Sequence, residues 1–116
     1  MKIIGGAKGA AREFTAYFKD AKTVLKTKLD LSNCTPFEKK VYRMLRRVPA
    51  GKVLSYGELA KRAGYPGAAR AVGSAMKKNR LPIVIPCHRV ISSSGGVGEY
   101  SAGKKWKRWL LEHEKR

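Results

Sequence analysis

The sequence predicts a mostly α-helical fold with one short strand, organised around a helix-turn-helix. Three observations carry that expectation. Apolar residues recur at three- and four-residue spacing through much of 35–78. Two capping boxes, Thr35-Pro36-Phe37-Glu38 and Ser55-Tyr56-Gly57-Glu58, each open such a stretch. Two short helical segments are joined by a tight turn containing Gly64 and Pro66.

Residues 1–33 are expected to form a reduced N-terminal segment, with the main domain over 34–116. In that segment Phe14, Tyr17 and Phe18 fit one helical face, while Val24, Leu25, Leu29 and Leu31 fit helix or strand. Thr35 caps a helix with proline at its first position, and Phe37, Val41, Met44, Leu45 and Val48 give it an apolar face. Pro49-Ala50-Gly51 stops it, and Lys52-Val53-Leu54 is a short extended link. Ser55 opens a helix carrying Leu59, Ala60 and Ala63, which Gly64 closes. A further helix runs from about Gly67 to Lys78, with Ala68, Val72, Ala75 and Met76 inward. Pro82-Ile83-Val84-Ile85 reads as a short buried strand. Ser92 to Gly98 is a loop of small residues. Ser101 can cap a last helix, with Trp106, Trp109, Leu110 and His113 on one face and Lys104, Lys105, Lys107 and Arg108 on the other.

Composition narrows the function. The chain has 116 residues, suited to one domain with one modest core. Its 26 Lys and Arg against 8 Asp and Glu give a formal net charge of +18. That imbalance predicts a polyanionic partner, nucleic acid first and an anionic membrane surface second. No run is long enough to span a membrane, and no secretory signal is visible. Two cysteines, Cys34 and Cys87, make no disulfide framework, so a reducing, cytoplasmic compartment is expected. No Cys/His cluster has metal-ligand spacing, so no zinc or other metal is expected.

The chemistry concentrates in Pro86-Cys87-His88-Arg89-Val90. A thiolate is the reactive form of cysteine, and nearby positive charge with a basic partner raises its population. Taken alone, the pair reads more simply as a small buried cysteine beside a loop histidine. Charge adds a second strand to the reading. Between Glu58 and Glu99 there is no acidic residue, yet Lys61, Arg62, Arg70, Lys77, Lys78, Arg80 and Arg89 are present. A stretch of one sign that includes the second helix of a helix-turn-helix suits a phosphate-binding face. The small residues Ala69, Ala71, Gly73 and Ser74 let that helix approach a groove closely, or equally pack tightly on another helix.

From Thr35 to Glu114 the chain resembles the 6-O-alkylguanine-DNA alkyltransferases. The resemblance rests on ordered motifs: Val53-Leu54-Ser55-Tyr56-Gly57-Glu58-Leu59-Ala60; Ala69-Arg70-Ala71-Val72-Gly73-Ser74-Ala75-Met76; Asn79; Ile83-Val84-Ile85-Pro86-Cys87-His88-Arg89-Val90; Tyr100-Ser101; and Trp109-Leu110-Leu111-Glu112-His113-Glu114. The resemblance implies a winged-helix-like alkyltransferase domain that repairs DNA by direct reversal. An alkyl group would move once from the guanine 6-oxygen to Cys87, without cofactor or regeneration. His88 would take the thiol proton through a water, Glu114 would orient His88, and Tyr56 would serve the leaving guanine. Arg70 would fill the space of the extruded nucleotide. Ala69, Ala71, Gly73, Ser74, Lys77, Lys78 and Arg89 would meet DNA. Val90, Ser93, Tyr100, Ser101 and Met76 would line the base pocket, and Asn79 would brace the helix-turn-helix against the active-site strand. The partner implied is double-stranded DNA containing alkylated guanine, bound by a monomer away from any membrane.

The chain departs from the family in three places. Only about thirty residues precede the matching domain, so the N-terminal part is reduced. Asn79-Arg80 replaces the usual Asn-Pro, and Glu99 stands where a neutral residue is frequent. A rival class shares the fold and binds alkylguanine without reacting, carrying tryptophan where this chain has Cys87. A cysteine hydrolase is the third reading, opposed by the adjacency of Cys87 and His88 and by the lack of an evident oxyanion donor.

Overall fold

The computed structural model describes residues 1–4, 7–92 and 103–115. The N-terminal part holds a strand β1 (Lys2–Ile3), a helix α1 (Ala7–Lys19) and a strand β2 (Leu29–Asp30). β1 and β2 pair antiparallel, Lys2 opposite Asp30 and Ile3 opposite Leu29. Between α1 and β2 the chain is extended rather than helical. Glu13 of α1 accepts from the backbone N–H of Lys26 and of Thr27, at 2.6 and 2.9 Å. Arg46 holds the same stretch from the other side, donating to the carbonyls of Leu25 and Thr27. Met1, Leu29 and Leu31 are partly buried and pack on the main core.

Both capping boxes form as the sequence predicts. Thr35 accepts from the Glu38 N–H and Glu38 bonds back to the Thr35 N–H, opening α2 (Pro36–Leu45). Ser55 and Glu58 do the same for α3 (Tyr56–Arg62). α3 ends at Gly64, whose φ of +90° only glycine adopts without strain. The Tyr65 N–H reaches back to the Ala60 carbonyl, and the Gly64 N–H to that of Lys61, closing the last turn. α4 (Ala69–Lys78) comes next and packs on α3, completing the helix-turn-helix. Its apolar face of Val72, Ala75 and Met76 is buried, as its spacing requires. Tyr42 of α2 donates from a fully buried hydroxyl to the Ala75 carbonyl at 2.6 Å, tying α2 to α4.

The strand expected at 82–85 is absent. The segment forms a turn, with a single bridge between Pro82 and Ile85 and with Ile83 at φ +75°. Pro82 and Pro86 bracket it without an N–H to give to a ladder, so the chain bonds to itself: the Ile85 N–H donates to the Leu81 carbonyl at 2.9 Å. The strands flanking the site lie elsewhere. β3 (Leu54–Ser55) pairs in parallel with β4 (Val90–Ile91), Leu54 opposite Val90 and Ser55 opposite Ile91.

The last helix, α5 (Lys104–Glu114), corrects three expectations. Its cap position falls on Gly103, which has no side chain to bond, and Ser101 lies outside the described residues. Trp106 and Trp109 do not anchor the core but stand 56% and 45% exposed. Lys107, expected on the solvent side, is fully buried. The inward face is Lys107, Leu110, His113 and Glu114. Its phase is set by Glu114, which must meet partners from two other elements. Gly51 makes room at that end: at φ +85°, a Cβ there would lie 3.3 Å from the Glu114 carbonyl oxygen.

Replacing Thr35 by Ala removes one side of the α2 cap and should lower stability by about 1 kcal/mol. A urea-denaturation midpoint unchanged from the parent chain would contradict that assignment.

Candidate active site

Cys87 begins a single 3-10 turn, Cys87–Arg89, placed between the 82–85 turn and β4. Pro86 sits at φ −78° and ψ 64°, and the Cys87 N–H donates to the Ile85 carbonyl at 2.7 Å. That is an inverse γ-turn, whose φ proline sets in advance. The Arg89 N–H then bonds the Pro86 carbonyl, and the Val90 N–H bonds the Cys87 carbonyl. The thiol is thereby fixed by main-chain geometry on both sides. Its side chain is 2% exposed. Asn79, at the end of α4, donates from Nδ2 to the Ile85 carbonyl at 3.0 Å and toward Cys87 Sγ at 3.1 Å. Its Oδ1 accepts from the Leu81 N–H at 2.9 Å. One buried amide therefore ties the second helix of the helix-turn-helix to the sulfur.

His88 and Glu114, distant in sequence, meet in space. His88 Nε2 lies 2.6 Å from Glu114 Oε2, and both side chains are buried. Arg89 makes a two-pronged contact with the same carboxylate, Nε to Oε1 at 2.9 Å and Nη2 to Oε2 at 2.8 Å. Its Nη1 donates to the Val48 carbonyl at 2.7 Å. Tyr17 of α1 donates its hydroxyl to Glu114 Oε2 at 2.6 Å. Burial opposes the charge on Glu114, but hydrogen bonds from His88, Arg89 and Tyr17 overcome it and bring the carboxyl down to about 2. Glu114 is thus ionised at neutral pH and can only accept. Nε2 of His88 must carry the proton, which leaves Nδ1 as the basic nitrogen. Burial is the largest influence on His88 and keeps it below the ordinary histidine value. Glu114 pulls it up, and Arg89 and Lys107 push it further down. His88 is accordingly neutral and able to take a proton at neutral pH.

Lys107 completes the surroundings. It is buried on α5 and donates from Nζ to the Val90 carbonyl at 2.5 Å. Burial brings its ammonium down to about 8, while the charge of Cys87 pulls it back up.

The other predicted residues divide between places. Arg70, Ala71, Ser74, Lys77 and Lys78 lie on the exposed side of α4, with Ala69 and Gly73 half-buried at its edge. α4 carries no acidic residue, although Lys78 Nζ lies 3.3 Å from Glu38 Oε2 of α2. Tyr56 is the first residue of α3, half-buried against the core. Val90 and Met76 are buried in the cluster that includes Cys87. Ser93, Tyr100 and Ser101 lie outside the described residues.

One predicted DNA contact is corrected. Arg89 is only 7% exposed, and its guanidinium is committed to Glu114 and the Val48 carbonyl. It stabilises the carboxylate instead of meeting phosphate. Sequence reasoning also missed Tyr17 and Lys107. Lys107, Leu110 and Glu114 recur at three- and four-residue spacing, a signal hidden because two of the three are charged. Nothing local marks Tyr17 apart from Phe14 and Phe18.

Residues 36–116 match the family model described as the DNA-binding domain of 6-O-methylguanine DNA methyltransferase. The chain is similar to a methylated-DNA–protein-cysteine methyltransferase of Shigella flexneri, 44% identical over 110 residues, which are 95% of this chain and 63% of that protein. It therefore spans less than two thirds of that relative. The fold resembles the crystal structure of Mycobacterium tuberculosis OGT in complex with DNA, with a TM-score of 0.86 and 46% identity, over 92% of this chain and 66% of that one. It also resembles S. pombe Atl1 in complex with damaged DNA containing O6-carboxymethylguanine. There the TM-score is 0.62 and the identity 39%, over 74% of this chain and 79% of that one.

The depressed Glu114 carboxyl links stability to pH. A carboxyl lowered by folding contributes stability that is present above its usual value of 4.5 and lost as pH falls toward about 2. Glu114→Gln should cost about 3–5 kcal/mol at neutral pH by leaving Arg89 buried without its counter-charge. The gap between the two proteins should narrow on acidification from pH 4.5 to pH 2. Thermal unfolding of both across that range checks it, and a gap that stays constant would show that Glu114 is not held ionised by folding.

Proposed function

Because this chain belongs to the 6-O-methylguanine DNA methyltransferase family through its DNA-binding domain, we propose that it repairs alkylated guanine in double-stranded DNA by direct reversal. The observation that carries the reading is a buried cysteine beside a neutral histidine whose other nitrogen is fixed on an ionised carboxylate. The Cys87 proton passes through a water to His88 Nδ1, and Glu114 holds the imidazole in the required tautomer. The thiolate attacks the alkyl carbon. A sulfur–carbon bond forms as the carbon–oxygen bond breaks, and the bonding electrons stay on the guanine. Tyr56 offsets that developing charge by giving a hydrogen bond or proton to the base. The thiolate supplies the electron pair, so the step needs no cofactor. The product is S-alkylcysteine, and each molecule reacts once.

The helix-turn-helix supplies access. The alkyl carbon is unreachable inside a duplex, so the nucleotide must be extruded. α4 lies along the groove, its small residues allowing close approach and Lys77 and Lys78 meeting phosphates. Arg70 fills the vacated space. The base then sits against Val90, Met76, Ser93, Tyr100 and Ser101. The protein acts as a monomer in the cytoplasm, where a reducing environment keeps Cys87 a thiol.

Incubation with duplex DNA carrying a radiolabelled methyl on guanine tests the reading. Label should move to protein in a one-to-one ratio and be absent from Cys87→Ala, which still binds DNA. Label that stays on bound DNA would instead mark a non-reacting alkylguanine binder, and label on Cys34 would displace Cys87 as acceptor.

Arg70→Ala should slow transfer from duplex DNA much more than transfer from the free alkylguanine base. Extrusion costs a few kcal/mol only in the duplex. An equal loss in the two second-order rates would assign Arg70 to the fold or the pocket.

A further inference from the structure

We propose that Tyr17, from the N-terminal helix α1, is a positioning residue for the transfer, its hydroxyl fixing the Glu114 carboxylate that orients His88. The proposal rests on the transfer reading above and extends the active centre into residues 1–33. Tyr17 is fully buried. Its hydroxyl donates at 2.6 Å to Glu114 Oε2, the same oxygen that receives His88 Nε2 at 2.6 Å and Arg89 Nη2 at 2.8 Å. Three donors on one carboxylate oxygen exhaust its lone pairs and leave the group no freedom to turn.

Tyr17 is itself held in place. His113 Nε2 lies 2.8 Å from the Tyr17 carbonyl, which can only accept, so His113 donates. The His113 ring also meets the Tyr17 ring edge-on, with centroids 5.2 Å apart and planes at 74°. α5 therefore grips α1 through its last turn, at His113, and receives the hydroxyl one residue later, at Glu114. The next aromatic, Phe18, is 45% exposed. Packing alone would be satisfied by phenylalanine at position 17, as the ring contacts need no hydroxyl. The hydroxyl is what reaches the relay.

Its loss has a directional consequence. Among the described residues, the titratable and charged groups around His88 include Cys87 and Arg89 on its own turn, Glu114 and Lys107 from α5, and Tyr17 behind Glu114 from α1. Asn79, from the end of α4, is uncharged. Without the Tyr17 donor, the Glu114 charge is less satisfied and draws harder on an imidazole proton. His88 then stays protonated to higher pH, and a protonated His88 cannot accept from Cys87.

The test is Tyr17→Phe in the full chain, alone and combined with Glu114→Gln. Methyl transfer from duplex DNA is followed across pH, beside affinity for unmodified duplex. Tyr17→Phe should reduce the transfer rate at neutral pH roughly tenfold, in keeping with a small misplacement of a reacting group. The acid limb of the rate profile should move to higher pH, with DNA affinity unchanged. In the Glu114→Gln background the same change should add nothing, because its route is gone. An unchanged rate, a loss equal at every pH, or an equal loss in both backgrounds would make Tyr17 a packing residue. A parent chain that transfers no label would overturn the transfer reading and not this contact. Should the variant fail to fold, proton NMR of the parent decides: a slowly exchanging Tyr17 hydroxyl proton adjacent to the His88 Nε2 proton supports the contact, and its absence overturns it.

Discussion

The carboxylate of Glu114 is the point on which the rest of the structure depends. It is buried, ionised and bonded from three directions: Tyr17 of α1, and His88 and Arg89 of the active-site turn. A charge in that position is tolerable only because it is paired with the Arg89 guanidinium and hydrogen-bonded on both oxygens. The requirement fixes the phase of α5, which turns Lys107, Leu110 and Glu114 inward and leaves Trp106 and Trp109 half in solvent. It also explains why the first thirty-odd residues dock where they do. The site would lose a donor without them.

A second coupling runs from the nucleophile to the helix-turn-helix. β3 ends where α3 begins, and β4 begins where the active-site turn ends. Their parallel pairing therefore ties the start of α3 to the active-site turn through a two-residue ladder, with Tyr56 and Cys87 off its opposite ends. Asn79 makes the same connection from the far end of α4, through the Ile85 carbonyl and the cysteine sulfur. The surface that would meet a duplex and the thiol that would react are thus held by two short, independent links. Short links transmit position faithfully because few torsions lie between their ends.

The excess of positive charge has two physical roles. Most of it lies on the surface, including the exposed side of α4, where it suits a polyanion. A smaller part is buried. Arg89 neutralises Glu114, and Lys107 places an ammonium beside Cys87 while anchoring the Val90 carbonyl. The buried cations lower the proton affinity of His88, which burial has already reduced, so the imidazole remains neutral. Counting charge along the chain does not separate these roles, since Arg89 and Lys107 stand among exposed lysines and arginines in sequence.

The sequence by itself determined the starts of α2 and α3, the helix-turn-helix and the cysteine that is the candidate nucleophile. Those features are local: Thr35 and Ser55 each find a glutamate three residues on, Gly64 takes a backbone conformation other residues avoid, and Cys87 is marked by its immediate neighbours. Resemblance to a family added Glu114 and Asn79, whose partners lie 26 and 8 residues away. The tertiary structure decided the rest. It turned Pro82–Ile85 from a strand into a turn because two prolines leave no ladder to join. It moved Arg89 from a DNA contact to the interior because a buried carboxylate needs a counter-charge. It brought Tyr17 across 97 residues to that same carboxylate. No local pattern encodes which aromatic of a helix face will carry a hydrogen bond, because the acceptor exists only once α1 and α5 have packed together.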